Sequence, residues 1–189
     1  MYEAKNFEAL LGTEGFSDVL LRNHFTLYEG YVSNTNKVAD LLKATELNTP
    51  AYNELKRRFG WEWDGMRLHE LYFGNMIKGG NKLDGKSALA KKIEGEFGSI
   101  EAWEKDFKAT GAMRGIGWAI LLQDTETGRL FNAWINEHDG GHLVGAKPLL
   151  IMDVFEHAFA LDYGLKRADY ITAFWNAINW SVVENRFSH

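Results

Sequence analysis

The chain has 189 residues, 46% of them hydrophobic, with seven Trp, seven Tyr and twelve Phe; this is enough for a real core in one domain or two small packed ones, and it excludes a disordered chain. The formal net charge is −5 with no long block of one sign, which argues against nucleic acid or an anionic membrane surface as a partner. Cysteine is absent, so disulfides and thiolate metal sites are excluded and any metal must be held by His, Asp, Glu or backbone.

No apolar run approaches the roughly 18 residues that a membrane span needs. The start, MYEAKNFEALLGTEGF, lacks a basic stretch followed by an apolar one, so no secretory signal is expected and the expected compartment is the cytoplasm.

Residues 5–45 read as helical. Leu10, Leu11, Phe16, Val19, Leu20, His24, Leu27, Tyr28, Tyr31, Val32, Val38, Leu41 and Leu42 recur at three-and-four spacing. Gly12 and Gly15 break off a first short helix, and Ser17 and Asp18 can cap the longer one. Pro50 is a stop-and-restart point. The stretch Ala51 to Phe59 predicts a short helix ended by Gly60, followed by another from about Trp63 to Ile77 with Met66, His69, Phe73 and Ile77 on one face. The polar, Gly-rich segment GGNKLDGKS at 79–87 is the expected domain boundary. Two more helices are expected at roughly 87–96 and 99–110.

The pattern then changes. Residues 117–122 read as a strand, 125–128 as a turn and 130–135 as a second strand. A loop with Gly140, Gly141 and Gly145 leads to a third strand at 149–153, and the aromatic tail from Asp169 to about Phe187 reads as helical. The expected architecture is therefore α+β: an N-terminal helical hairpin domain, 1–82, packed on a C-terminal mixed α/β domain, 83–189, with a small three-stranded antiparallel sheet.

The chemistry gathers around residues 149–157. The apolar run Leu149 to Met152 ends on Asp153, with Glu156 and His157 close behind. If a helix starts near Asp153, its carboxylate sits at the helix N-terminus and His157 lies one turn on, on the same face. Such a pair is half of a transition-metal site. His24 and His69 fall at inward positions of predicted helices, where a lone His is usually a core residue bonded to a carbonyl or a Tyr. Three imidazoles and one carboxylate together make a nitrogen/oxygen set that suits iron or manganese, with zinc also compatible.

Residues 149–187, LLIMDVFEHAFALDYGLKRADYITAFWNAINWSVVENRF, resemble the C-terminal signature of the iron/manganese superoxide dismutases. That signature is a D-x-W-E-H-A motif, an Arg-Pro-Asp-Tyr turn and a W-N-x-x-N-W helix. The likeness extends to the helix with His69 and Asn75, the Gly-x-Gly-Trp strand entry at 115–118, and the Tyr31-Val32-x-Asn34 stretch. It implies an oxidoreductase that disproportionates superoxide to dioxygen and hydrogen peroxide. One iron or manganese ion per subunit would cycle between its trivalent and divalent states, with the choice of ion left open. His24, His69, Asp153 and His157 would hold it, with a water or hydroxide completing the set. Tyr31 and His138 would be the paired residues beside that solvent. Glu156 would reach across a homodimer interface to the partner's His157, in a dimer or tetramer, and Arg167 would steer the anion.

The chain also departs from the signature. His24 and Tyr31 are seven apart where the family has eight, so a gap-free alignment would place Asn23 at the ligand position. His24 is preferred because Asn is a poor ligand for these ions. The family's gateway His/Tyr pair is missing, with Leu27 or Tyr28 in one place and Ala160 in the other. Phe155 and Phe73 replace two Trp, and Ala168 replaces the turn's Pro. Gly65 cannot supply the Gln that some members bring from this helix, which leaves His138 for that place. Two rival readings follow: a non-haem iron oxygenase, and a catalytically silent metal-binding homologue acting as an interaction module.

Overall fold

In the computed structural model, residues 1–188 are described. A single turn of 3-10 helix, Glu8–Leu10, precedes a long hairpin of α1 (Asp18–Ala44) and α2 (Pro50–Gly74). The shorter helices α3 (Ala88–Phe97) and α4 (Ile100–Gly111) follow. Next come β1 (Gly117–Asp124), β2 (Leu130–Asn136) and β3 (Ala146–Asp153), and then a 3-10 turn at Glu156–Ala158. The chain ends in the one-turn helix α5 (Ala160–Tyr163), α6 (Arg167–Asn176) and α7 (Trp180–Ser188). Side-chain oxygens of Ser17, Thr49, Ser87 and Ser99 accept the N–H of the third residue of α1 to α4 respectively, so each of these helices begins at a hydroxyl cap. The sheet is antiparallel in the order β2-β1-β3. Its central strand pairs Trp118 with Ile135 on one side and Asp153 on the other.

The α+β architecture agrees with the sequence reading, but five local expectations do not hold. The helices predicted on either side of Gly60 are one helix, α2. Gly60 costs about 1 kcal/mol in a helix interior. Arg58 and Glu62 pair across it, and the buried face continues through Met66, His69 and Phe73. At its far end α2 stops at Gly74, with Asn75 as the cap, so Ile77 is outside the helix and exposed. No helix begins at Asp153. The residue ends β3, and only a 3-10 turn follows it. The tail is broken between α6 and α7, where Ala177 and Ile178 bond back to Ile77 and Asn81. Val19, Leu27 and Leu41, assigned to the inward stripe of α1, are exposed.

Asn75 ties the two halves together. Its side-chain amide donates to Tyr72 O at 2.8 Å and Ile151 O at 3.2 Å, and its oxygen accepts from Ile151 N–H at 2.9 Å. Arg186 of α7 donates to that same oxygen and to the carbonyls of Leu149 and Leu71. Burial lowers the Arg186 pKa to about 10, which still leaves the guanidinium charged at neutral pH. The end of α2 is thus bolted to β3 through groups that have no water to fall back on. Asn75→Ala is expected to lower the unfolding free energy by about 2–4 kcal/mol, because it strands an N–H, two carbonyls and part of a buried guanidinium. Chemical denaturation of the metal-free protein checks this.

Candidate metal centre

Four elements meet at one buried point. His24 comes from α1, His69 from α2, Asp153 from the end of β3 and His157 from the 3-10 turn. One ligand atom from each lies within 4.8 Å of all the others. The common atom is Asp153 Oδ2. His157 Nε2 lies 3.1 Å from it, His24 Nε2 3.2 Å and His69 Nε2 3.5 Å. The other carboxylate oxygen accepts the N–H of Phe155 at 2.9 Å, and Tyr170 donates to the Asp153 carbonyl at 2.6 Å. These bonds fix the carboxylate at the strand end without any helix N-terminus.

The tautomer of His69 follows from its partners. Its Nδ1 is 2.6 Å from Gly65 O, and a carbonyl can only accept, so Nδ1 carries the hydrogen and Nε2 a lone pair. That lone pair is buried with no hydrogen-bond partner among the described residues. It faces a carboxylate oxygen that also has only lone pairs to offer. Two such atoms in a dry site repel unless a cation lies between them. Burial lowers the His69 pKa well below its ordinary value, and the charge of His24 adds to this. Burial also lowers that of His24, against the opposing pull of Asp153. For Asp153 burial acts to raise the pKa, but His157 and His24 more than offset it and hold the carboxyl well below the usual range. Neutral imidazoles and an ionised carboxylate are the protonation states that metal ligation requires. The donor set therefore fits a single iron or manganese ion.

Asn23 is exposed on the outer side of α1, whereas His24 is buried in the cluster. Helix α1 is regular α-helix from Asp18 to Ala44, so the seven-residue spacing places His24 and Tyr31 two turns apart on one face. The Tyr31 ring stacks on His69 with 5.1 Å between centroids. Gly65 makes this possible, since a Cβ there would lie 2.7 Å from the Tyr31 ring. Tyr28, the alternative gateway position, is instead buried and bonded to Glu70 and Lys5 N, while Leu27 is exposed.

His138 lies 2.8 Å from the Tyr31 hydroxyl through Nε2. Trp118, which no sequence motif marked for a role, completes this link. Its indole N–H donates to His138 Nδ1 at 3.1 Å. An indole can only donate, so His138 Nδ1 is the acceptor and Nε2–H donates to Tyr31. The Tyr31 hydroxyl hydrogen is then free to point elsewhere. Burial lowers the His138 pKa to about 4, which keeps the ring in the neutral form this relay needs. Burial, with Asp153 and Glu62, raises that of Tyr31, which stays a neutral phenol. The only sequence signal for Trp118 was its place at the strand entry; its partner is twenty residues away, on the loop after β2.

Glu156 is exposed beside His157, whose side chain is 28% exposed. Arg167 is half-buried, and its guanidinium donates to Met113 O at 2.6 Å and Gly115 O at 2.8 Å.

A hairpin of long helices joined to a three-stranded sheet, with a buried His3Asp set between them, defines a mononuclear metalloprotein of α+β type. Residues 85–186 match the family described as iron/manganese superoxide dismutases, C-terminal domain. The chain is 41% identical over 184 residues to an iron superoxide dismutase of Aquifex pyrophilus, covering 92% of this chain and 85% of that one. It is 36% identical over 174 residues to a manganese superoxide dismutase of Haloferax volcanii, covering 89% and 85%, and 36% identical over 168 residues to an iron superoxide dismutase of Saccharolobus solfataricus, covering 84% and 79%. The chain belongs to the iron/manganese superoxide dismutase family.

His24→Ala is expected to abolish retention of the metal through gel filtration, whereas Asn23→Ala should retain it; elemental analysis of both variants decides between the two alignments.

Proposed function

We propose that the chain disproportionates superoxide, converting two superoxide anions and two protons to dioxygen and hydrogen peroxide, at an iron or manganese ion held by His24, His69, Asp153 and His157. The orphaned lone pair of His69 facing Asp153 Oδ2 carries this reading. An iron or manganese ion held by these four residues would supply one-electron exchange with superoxide. The residues around it supply the rest. The three imidazoles and the carboxylate fix the charge of the donor set and so the potential at which exchange occurs. Trp118 and His138 orient the Tyr31 hydroxyl, leaving its hydrogen available as a proton donor on the His69 side of the cluster. Phe73, packed 4.9 Å from His24, and Phe155, 5.0 Å from His157, keep the surroundings apolar and dry.

Glu156 is proposed to bond the partner's His157 across a two-fold interface, where each subunit braces the other's site. Its exposure next to a partly open His157 supports this. Residues 1–82 and 83–189 are taken as two units, each giving two of the four ligand groups. No described helix is long and apolar enough to cross a membrane. A cytoplasmic location is proposed, in keeping with the lack of cysteine.

Purified protein should hold about one iron or manganese ion per chain and dismutate superoxide in at least one reconstituted form. A metal-loaded but inactive protein would rule this function out and favour the silent homologue. Tyr31→Phe should retain the ion but lose about tenfold or more in turnover where proton delivery limits the rate. Pulse-generated superoxide decay, followed alongside metal content, separates those two effects.

A further inference from the structure

A cavity of about 180 Å3 opens on the outer side of Tyr31, lined by Leu27, Gly30, Arg58, Trp61 and Glu62 among others. Tyr31 forms its inner wall. Because that ring stacks on His69, the cavity lies one aromatic layer from the ligand set. The lining includes one cation, Arg58, and one carboxylate, Glu62. Arg58 Nε and Nη2 both donate to the same oxygen, Glu62 Oε1, at 2.7 Å. The guanidinium also lies over the Trp61 ring, 4.0 Å from its centroid. Trp61 is itself anchored through its indole N–H, 3.1 Å from Glu137 Oε2.

An Arg and a Glu four apart on a helix usually form a solvated surface pair of little consequence. This pair differs in burial: the Arg58 side chain is 52% exposed and the Glu62 side chain 3%. Glu62 Oε2 is buried with no partner among the described residues. Burying a carboxylate with half its acceptors unused is costly, and a surface pair does not require it. The result is a fixed dipole with its negative end inside and its cation at the opening. Glu62 takes two of the five guanidinium N–H groups, and the others remain available to a ligand. Arg167 likewise uses two of its N–H groups, on the carbonyls of Met113 and Gly115, but it does not line this cavity.

We propose that Arg58, locked in place by Glu62 and Trp61, is the anion-receiving residue at the mouth of the site and captures superoxide on its way to Tyr31. This rests on the dismutase reading and names the residue that recruits its substrate. The chain carries a net charge of −5, so the protein as a whole repels the anion and a local cation must do the recruiting. The cavity is small and walled by Tyr31, Trp61 and Leu27, which suits a monovalent anion of a few atoms rather than a larger oxyanion.

The test compares metal-loaded wild-type protein with Arg58→Gln, Arg58→Lys, Gly30→Glu and the distant charge control Lys43→Gln. Two readouts are needed: kcat/KM for superoxide across ionic strength, and the affinity for azide, a small anion, read from the visible absorption of the bound metal. Arg58→Gln should lower kcat/KM at low salt by about threefold to tenfold and flatten its salt dependence, with kcat and metal content held. Azide should weaken in step. Arg58→Lys should recover most of both, and Lys43→Gln should match wild type. Gly30 has no atom within 4 Å of where a Cβ would be, so Gly30→Glu can place an opposing charge in the same cavity while Arg58 itself is kept. It should depress kcat/KM and azide affinity even if Arg58→Gln fails to fold. Unchanged salt dependence and azide affinity in Arg58→Gln and Gly30→Glu would overturn the proposal, as would a loss in kcat equal at all salt concentrations. Wild-type protein that binds metal without activity would instead sink the dismutase reading, and azide affinity would still report on Arg58.

Discussion

Three imidazoles and a carboxylate are held around one oxygen atom, Asp153 Oδ2, with His157 alone among them partly open to solvent. Left alone, these groups would separate or take up protons, since the His69 lone pair and the carboxylate have nothing to share. What keeps them in place lies in the layer behind them: Gly65 O on the far nitrogen of His69, the Phe155 N–H on the other oxygen of Asp153, and the Tyr170 hydroxyl on its carbonyl. The site is assembled by its supports before any ion arrives, and the ion then relieves the electrostatic conflict they impose.

Those supports are also what join the two halves of the fold. Helix α2 carries His69 and, six residues on, ends at Asn75, which bonds β3 two residues before Asp153. A shift of α2 along β3 would therefore break the buried amide bonds before it moved the ligand. Trp118 acts similarly on the other side. It pairs with Asp153 across the sheet, packs 5.0 Å from His69 and holds His138 against Tyr31. One side chain thus links the sheet register, the His/Asp cluster and the Tyr31–His138 pair.

The cluster of His24, His69, Asp153 and His157 was legible in the sequence because two of its imidazoles fall at inward helix positions, and because the stretch from Leu149 to Phe187 resembles a known signature. Local geometry was less so. Gly60 looked like a helix end, yet the buried face of α2 and the pair spanning the glycine outweigh its poor propensity. Asp153 looked like a helix start, but Tyr170 and the pairing with Trp118 keep it at the strand end. Trp118 on His138 joins a strand to a loop, and such contacts leave no periodic trace. Spacing alone does not tell which partner of the Arg58–Glu62 pair is buried.

The four ligand groups are not equally secured. His24, His69 and Asp153 belong to long helices and the central sheet and are fully enclosed, whereas His157 rides on a three-residue turn with part of its ring open to solvent. An ion held here would owe most of its enclosure to the first three groups, and opening of the turn, which leaves the core intact, would be its easiest way out. Tightness and lability would then fall to different segments of backbone, and any contact that covers the turn would slow the loss of the ion without changing an enclosed group.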